Sequence, residues 1–153
     1  MAHSIKVQRE SFDVEQELLN LRSRNKNSFG AVVSFVGLVR DLSENDELEY
    51  LELEYYPGMT ESSILEIVEL AEKQWLSLDI VIIHRVGRLA SSDPIVLVQV
   101  ASPHRDEAFQ CCEFLMDYLK TDAVFWKKEV ARDGTNWVQA TDQDNSRKDR
   151  WGI

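Results

Sequence analysis

The alternation of apolar and polar positions predicts strands and helices in turn along the first part of the chain. SIKVQ (4–8) fits a short strand, and 12–25 fits an amphipathic helix in which Asp13 and Gln16 have the spacing of a capping box. The run GAVVSFVGLV (30–39) is nearly all apolar and rich in β-branched residues. That pattern is typical of a central strand buried on both faces.

The middle of the chain predicts three strands and a helix. LEYLELEYY (48–56) alternates leucine or tyrosine with glutamate, which indicates a strand with one exposed face. PGMT breaks that strand, and Thr60 is expected to cap a helix that runs to about Ser77. DIVIIHRVGRL (79–89) and PIVLVQVAS (94–102) each fit one strand, joined by a turn at ASSD.

The last third predicts a helix and a hairpin. Ser102 as N-cap and Pro103 at the first helical position favour a helix that runs to about Thr121. AVFWKKEV and TNWVQA flank an Asp-Gly pair, which is a hairpin signal. We therefore predict an α+β fold, with helices packed on a largely antiparallel sheet and a C-terminal hairpin. A single domain over 1–140 precedes a polar tail, 141–153, that is expected to be loose unless a partner holds it.

Composition narrows the class of protein. A chain of 153 residues that is 44% hydrophobic fits one ordinary domain. It has neither a membrane-length apolar run nor the apolar core of a signal peptide, so we expect a soluble, cytoplasmic protein. A net charge of -10 argues against nucleic acid as a partner. The acidity is uneven: 41–80 holds twelve Asp or Glu and one Lys, whereas 104–153 holds eight Lys or Arg.

The two cysteines, Cys111 and Cys112, are adjacent in a predicted helix. Adjacent cysteines suit neither a disulfide framework nor the usual zinc spacings, so we expect two buried apolar side chains and no metal. A persulfide route through either thiol is disfavoured, because an apolar position hides a thiol and keeps it protonated.

The stretch SPHRDEAF places His104 and Arg105 in a first helical turn. The helix dipole is positive there, so stability alone would favour acidic residues. One interpretation is an anion site, made by free backbone N–H groups, a guanidinium and an imidazole. The other is that Arg105 pairs with a nearby carboxylate, and these residues alone leave both open.

The stretch DYLKTDAVFWKKE gathers three lysines around a Phe-Trp pair. Lys120 ends a predicted helix, where a cation is favourable without any function. Lys127 and Lys128 follow the aromatic pair in a predicted strand, so one of them shares a face with each ring, and both could simply lie along the rings with their ammonium groups in water. If Lys120 meets one of them, each ammonium disfavours the charge of the other, which suits a general acid, base or nucleophile.

Five stretches, taken in order, carry a resemblance to a known family: SFVGLVRD, LELEYYPGM, IIHRVGRL, ASPHRDEAF, and DYLKTDAVFWKKE followed by DGTNWV. Over about 30–138, the chain resembles the large, catalytic subunit of molybdopterin synthase. The resemblance implies an α/β hammerhead fold and a sulfurtransferase of molybdenum cofactor biosynthesis. Its implied partners are a small ubiquitin-like subunit with a C-terminal thiocarboxylate, and the substrate cyclic pyranopterin monophosphate. It also implies a homodimer within a heterotetramer, and no cofactor, because the partner brings the sulfur.

The resemblance also implies roles for residues, carried over motif by motif. Lys120 of YLKT and Lys127 of FWKKE match the essential lysines, with Lys120 nearer the chemistry. His104 and Arg105 match the family's anion-binding pair, and Arg40 matches the arginine that follows the apolar strand. Phe35, Met116 and Lys128 match other substrate-binding positions less closely. Both anionic ligands would explain why cations gather in an acidic chain.

Small departures from the family pattern concern turns rather than candidate catalytic groups. Tyr55 stands where His is common, Ser92 where Gly is usual, Pro103 where a small residue is common, and Val124 where Pro is frequent. Two alternatives stay open. The chain could be a non-catalytic module that binds the C-terminal tail of a ubiquitin-like protein, or a phosphate-sensing domain that uses His104 and Arg105 without Lys120.

Overall fold

The computed structural model describes residues 2–25, 27–40, 48–123, 125–131 and 134–152, with side chains placed except at 48, 49, 126–131 and 134–138. Eight strands and four helices lie within these residues. The strands are β1 (Ala2–Gln8), β2 (Ala31–Leu38), β3 (Leu48–Tyr55), β4 (Asp79–Arg85), β5 (Gly87–Leu89), β6 (Pro94–Ser102), β7 (Phe125–Ala131) and β8 (Gly134–Val138). The helices are α1 (Val14–Arg24), α2 (Met59–Gln74), α3 (Arg105–Leu119) and α4 (Asp142–Asp149).

The strands form two four-stranded sheets. Sheet A has the order β1-β4-β6-β2, and sheet B has the order β5-β3-β7-β8. Only the β1–β4 pair is parallel among the described strand pairs; the others are antiparallel. The predicted α+β class and the hairpin of β7 and β8 are therefore confirmed.

Sheet A carries the core on both of its faces. Side chains of successive strand residues alternate between faces, so β4 and β6 each supply two sets. Helices α2 and α3 cover one face, where the largest cluster includes Ile80, Ile82, Val98, Val100 and Phe114. Helix α1 covers the other face, where Leu21 packs with Val81, Ile83, Leu97 and Ala101. Asp13 caps α1 as predicted, by accepting a hydrogen bond from the Gln16 amide at 3.1 Å.

Strand β2 is an edge strand, so the prediction of a central strand buried on both faces is wrong. Phe35, Val36 and Leu38 are 39%, 36% and 59% exposed. The strands with two covered faces are β4 and β6. A continuous apolar run indicates that a strand meets apolar surface, but it does not show whether the same chain supplies that surface.

The predicted strand 79–89 is two strands in different sheets. The chain leaves sheet A after Arg85, and Gly87 adopts a φ of +88°, which favours glycine. Strand β5 then pairs with β3 in sheet B. The apolar pattern continues through the break because Val86 and Leu89 are buried in a separate cluster with Val39.

Two helix starts differ from prediction. Helix α2 is capped at Gly58, whose amide donates to the Glu61 carboxylate at 2.5 Å, while the Thr60 hydroxyl instead accepts from the Tyr56 amide at 3.1 Å. Ser102 is the last residue of β6, and His104 is the N-cap of α3. Each helix therefore has its N-cap two residues from the predicted one, Thr60 or Ser102.

The tail is not loose, contrary to expectation. Thr141 caps helix α4 through the Asp144 amide at 3.1 Å, and Trp151 packs against the largest core cluster. The division into a domain over 1–140 and a tail stays a prediction. Among the described residues, no helix is long and apolar enough to cross a membrane.

Candidate active site

The first turn of α3 presents His104 and Arg105 at the surface. The buried Ser102 hydroxyl accepts a hydrogen bond from the His104 amide at 3.3 Å and donates to the Glu107 carboxylate at 3.0 Å. Arg105 is exposed and makes no ion pair with any residue that the structure describes. The alternative in which Arg105 pairs with a carboxylate therefore has no support in the described part of the chain.

Lys120 lies at the other end of the same helix. It is the C-cap of α3, and its amide donates to the Met116 carbonyl at 3.1 Å. Its side chain is exposed and has no ion pair among the described residues. Met116 is half-buried against the main core cluster, one turn before Lys120. The ammonium group is thus carried by a well-packed helix end and is open to solvent.

Phe35 lies on edge strand β2, and Arg40 follows the end of that strand by two residues. Val39, directly after the strand, is anchored by a hydrogen bond from its amide to the Asp93 carbonyl at 2.9 Å, and Arg40 beside it is exposed. A Cβ on Gly37 would lie 2.7 Å from a Val96 methyl and 3.4 Å from the Phe35 ring. Gly37 therefore lets the exposed Phe35 ring lie close along the strand.

Phe125 connects these groups to strand β7. Its ring stacks on the buried His84 ring, with centroids 4.1 Å apart and an angle of 27°. It also packs against the cluster that contains Val39, next to Arg40. Lys127 pairs in register with Leu53 and Val138, and Lys128 pairs with Glu52 and Trp137. The side chains of both lysines lie outside the described residues.

The predicted site residues fall at two ends of the molecule. Lys120 at the end of α3 is followed by β7, whose Phe125 packs against the cluster that contains Val39, next to Arg40; we call Arg40, Lys120 and β7 the lysine end. His104 and Arg105 form the histidine end, at the start of α3. A helix of fifteen residues is about 22 Å long, so α3 holds the two ends that far apart within one chain.

Sequence reasoning missed two features of the lysine end. His84 was not singled out, although a histidine inside the apolar run VIIHRV is a signal for a buried imidazole with a fixed partner. Its Nδ1 donates to the Arg85 carbonyl oxygen at 2.8 Å. The second feature is a set of cations in the C-terminal segment, which dock on the end of α3; a pattern read within one helix could not reveal them.

The cysteines are buried, as predicted. Cys111 is fully buried and Cys112 is 5% exposed. Burial raises the pKa of the Cys111 thiol well above its ordinary value, and burial together with the nearby Glu113 raises the pKa of Cys112 to about 11. Neither thiol is suited to nucleophilic chemistry near neutral pH. No cluster of His, Cys, Asp or Glu suited to a metal ion occurs among the described residues.

Comparison with known proteins identifies the family. The family model described as "MoaE protein" matches residues 7–122. A curated protein of Ralstonia nicotianae, named molybdopterin synthase catalytic subunit, is 49% identical over 150 residues, which span 98% of this chain and 85% of that protein. The chain therefore belongs to the MoaE protein family.

Solved structures agree in fold. A molybdopterin biosynthesis MoaE protein from Burkholderia ambifaria is 47% identical, with a TM-score of 0.85 over 100% of this chain and 99% of that one. A molybdopterin synthase structure from Staphylococcus aureus is 35% identical, with a TM-score of 0.78 over 87% of this chain and 95% of that one. The α+β architecture of this chain is thus that of known family members.

Proposed function

We propose that this chain is the catalytic subunit of a molybdopterin synthase, acting in the cytoplasm. It would transfer sulfur from the C-terminal thiocarboxylate of a small ubiquitin-like subunit to cyclic pyranopterin monophosphate, and so form the dithiolene of molybdopterin. Family membership and relatives named for that activity support the proposal. The observation that carries it is the exposed Lys120, which has no ion pair among the described residues although the chain has a net charge of -10.

The proposed roles follow from charge and position. The substrate phosphate and the incoming thiocarboxylate are both anions, so cations are needed for each. Arg105, His104 and Arg40 would hold the phosphate, and Lys127 would hold the second anion. Lys120 would assist sulfur transfer by proton transfer or transient covalent capture. Phe35, Met116 and Lys128 would contact the substrate in the pocket. The reaction so described calls for no metal or organic cofactor, because the partner brings the sulfur.

The two separated ends suggest that a complete site takes residues from two copies of the chain. One chain cannot bring a small phosphorylated substrate to both Arg105 and Lys120, since α3 holds them about 22 Å apart. In a two-fold dimer, the histidine end of one copy can meet the lysine end of the other. The exposed apolar side chains of edge strand β2, next to Arg40, offer surface for such a contact.

A single-turnover assay tests the chemistry. This protein is mixed with thiocarboxylated small subunit and cyclic pyranopterin monophosphate, and molybdopterin is detected as its fluorescent oxidation product. We expect wild type to form product and Lys120→Ala to lose it by at least about 100-fold, the scale of a lost general acid or nucleophile. Lys73→Ala is the matched control, because Lys73 is another exposed lysine near the end of a helix.

The outcomes separate enzyme from binding module. Near-normal turnover by Lys120→Ala would refute the role of Lys120. If neither protein forms product although the small subunit is bound, the chain is a module that captures the tail of that subunit.

Mixing variants tests whether the site is shared between copies. In an equal mixture of refolded Lys120→Ala and Arg105→Ala chains, a shared site would be intact at about a quarter of all sites, because half the dimers are mixed and each has one complete site. Sites built within one chain would all carry a defect. Recovery of about a quarter of wild-type turnover would support the shared site, and no recovery would contradict it.

A further inference from the structure

The C-terminal segment docks on the end of α3 that precedes Lys120. The Trp151 ring meets the Phe114 ring edge-on, with centroids 5.3 Å apart, and the Trp75 ring at 6.0 Å. Its indole N–H donates to the Asp117 carboxylate at 2.8 Å. The segment 141–152 is therefore fixed to α3 by apolar packing and by a specific polar contact.

The end of α3 is unusually acidic for its position. Glu113 and Asp117 lie on the helix and Asp122 follows its end, while its last turn contains no basic residue. Carboxylates are unfavourable there because the helix dipole is negative at that end. Asp117 is also three residues before Lys120, at a spacing that lets side chains on a helix meet. Asp117, at that spacing, and Asp122, two residues after Lys120, are the acidic residues available to pair with Lys120.

Cations from the C-terminal segment occupy those carboxylates instead. Arg150 contacts Glu113 at 2.5 Å and Asp117 at 2.9 Å. Lys148 contacts Asp122 at 2.9 Å, and its ammonium lies 5.5 Å from the centre of the Tyr118 ring. Glu113, Asp117 and Asp122 thus each have a partner from beyond residue 147.

The ionisation of these cations agrees with the contacts. The hydrogen bond to Glu113, and then that to Asp117, raises the pKa of Arg150 above its ordinary value. The hydrogen bond to Asp122 raises the pKa of Lys148 in the same way. Lys120 is exposed and has no ion pair among the described residues. Arg150 and Lys148, not Lys120, therefore form the ion pairs with these carboxylates.

We propose that Arg150 and Lys148 are positioning residues, which neutralise the carboxylates around Lys120 and so keep its ammonium available to an anionic substrate. This inference rests on the proposed function, because that function supplies the anionic substrate with which Lys120 would react. Without the two cations, Asp117 or Asp122 would draw the Lys120 ammonium into an ion pair. A paired ammonium is turned away from substrate and gives up its proton less readily.

The test uses charge-removing variants of the full chain. Arg150→Gln, Lys148→Gln and the double variant are compared with Arg147→Gln, which removes an exposed charge from the same helix where no ion pair is described. Arg150→Lys restores the charge and should recover most of the effect. The first readout is the acetylation rate of Lys120 by acetic anhydride at pH 8, measured by mass spectrometry relative to Lys73 in the same molecule. The second is product formation in the single-turnover assay.

We expect the double variant to lower the relative acetylation rate of Lys120 about threefold, with single variants between, because an ion pair slows reaction of the amine. Turnover should fall by about three- to tenfold, and Arg147→Gln should change neither value. Raising the salt concentration should reduce the difference in Lys120 acetylation rate between wild type and the double variant, since salt screens exposed ion pairs.

The direction in which the Lys120 acetylation rate changes distinguishes the proposed positioning role from a purely structural role of the C-terminal segment. If the segment only braces α3, its loss would loosen the helix end and leave the rate unchanged or raise it, which would overturn the proposal. The labelling result needs no turnover. If wild type forms no product, the proposed function fails while the acetylation rates still decide this inference.

Discussion

Arg24 holds the completely buried carboxylate of Asp79 with two hydrogen bonds, from Nε at 2.8 Å and from Nη2 at 2.9 Å. The side-chain amide of Asn25 also donates to this carboxylate. Asp79 begins β4, and Arg24 and Asn25 end α1. The contact fixes the helix over its face of sheet A, and it satisfies a charge that burial alone would make costly.

Arg24→Met should lower the free energy of unfolding by about 2 to 4 kcal/mol, because it leaves a buried carboxylate without its counter-charge. Urea unfolding followed by circular dichroism measures the change. Arg22→Met is the control, since Arg22 is exposed on the same helix and has no ion pair described. Equal effects of the two substitutions would show that the Asp79 contact contributes nothing specific.

Ser92→Gly should raise the free energy of unfolding by about 0.5 to 1 kcal/mol. Ser92 has a φ of +73° in the turn between β5 and β6, where glycine has no steric penalty. Its amide still donates to the Val39 carbonyl at 2.7 Å, so the turn is kept. Ser91→Gly is the matched control, because Ser91 does not have a positive φ. A stability gain at Ser91 but not at Ser92 would contradict this account.

The sequence predicts most elements, because periodicity and turn residues act locally. Asp13 before a helical pattern and the Asp-Gly pair between β7 and β8 are signals within a few residues of the feature they determine. The alternation of β3 likewise gives buried Leu51 and Leu53. Such signals are reliable where local preference and tertiary contacts agree.

The errors share a physical cause, which is contact between segments far apart in sequence. Phe35 and Leu38 look like core residues but lie on an edge strand. Trp151 is one aromatic residue in a polar tail, and its partners are Trp75, directly after α2, and Phe114 on α3. For the site, local pattern and family resemblance together list the residues and place Arg105 and Lys120 at the two ends of one predicted helix, which α3 confirms.

The buried thiols should make stability depend on alkaline pH. The folded-state pKa of Cys112 is raised to about 11, so its protonated form is favoured in the native state. In the unfolded chain, a thiol ionises near its ordinary value of about 8.5. The stability contribution is therefore complete below about pH 8.5 and is lost as pH rises towards 11.

Urea unfolding at pH 7, 9 and 10.5 checks this dependence, with Cys112→Ala expected to show a shallower decline than wild type. Ellman's reagent at pH 8 should label both thiols in the urea-unfolded chain and neither in the native one. Rapid labelling of native protein would show that a thiolate is accessible, and it would reopen the persulfide route that the burial of Cys111 and Cys112 disfavours.

Gly30→Ala should disturb the histidine end selectively. A Cβ on Gly30 would lie 2.6 Å from the Pro103 carbonyl oxygen, and the Gly30 amide donates to the Ser102 carbonyl at 3.1 Å. The methyl group must push the backbone that precedes His104, since a carbonyl cannot rotate away as a side chain can. We expect a loss of about 1 to 3 kcal/mol in the free energy of unfolding, as for other overpacked sites.

The displaced turn should also weaken binding of the substrate phosphate by His104 and Arg105. Under the proposed function, the KM for cyclic pyranopterin monophosphate should rise with a smaller change in kcat, because His104 and Arg105 are assigned to the substrate phosphate and Lys120 to the chemical step. A fall in kcat with KM unchanged would instead mean that the histidine end acts in the chemical step. That result would move the phosphate site away from the first turn of α3.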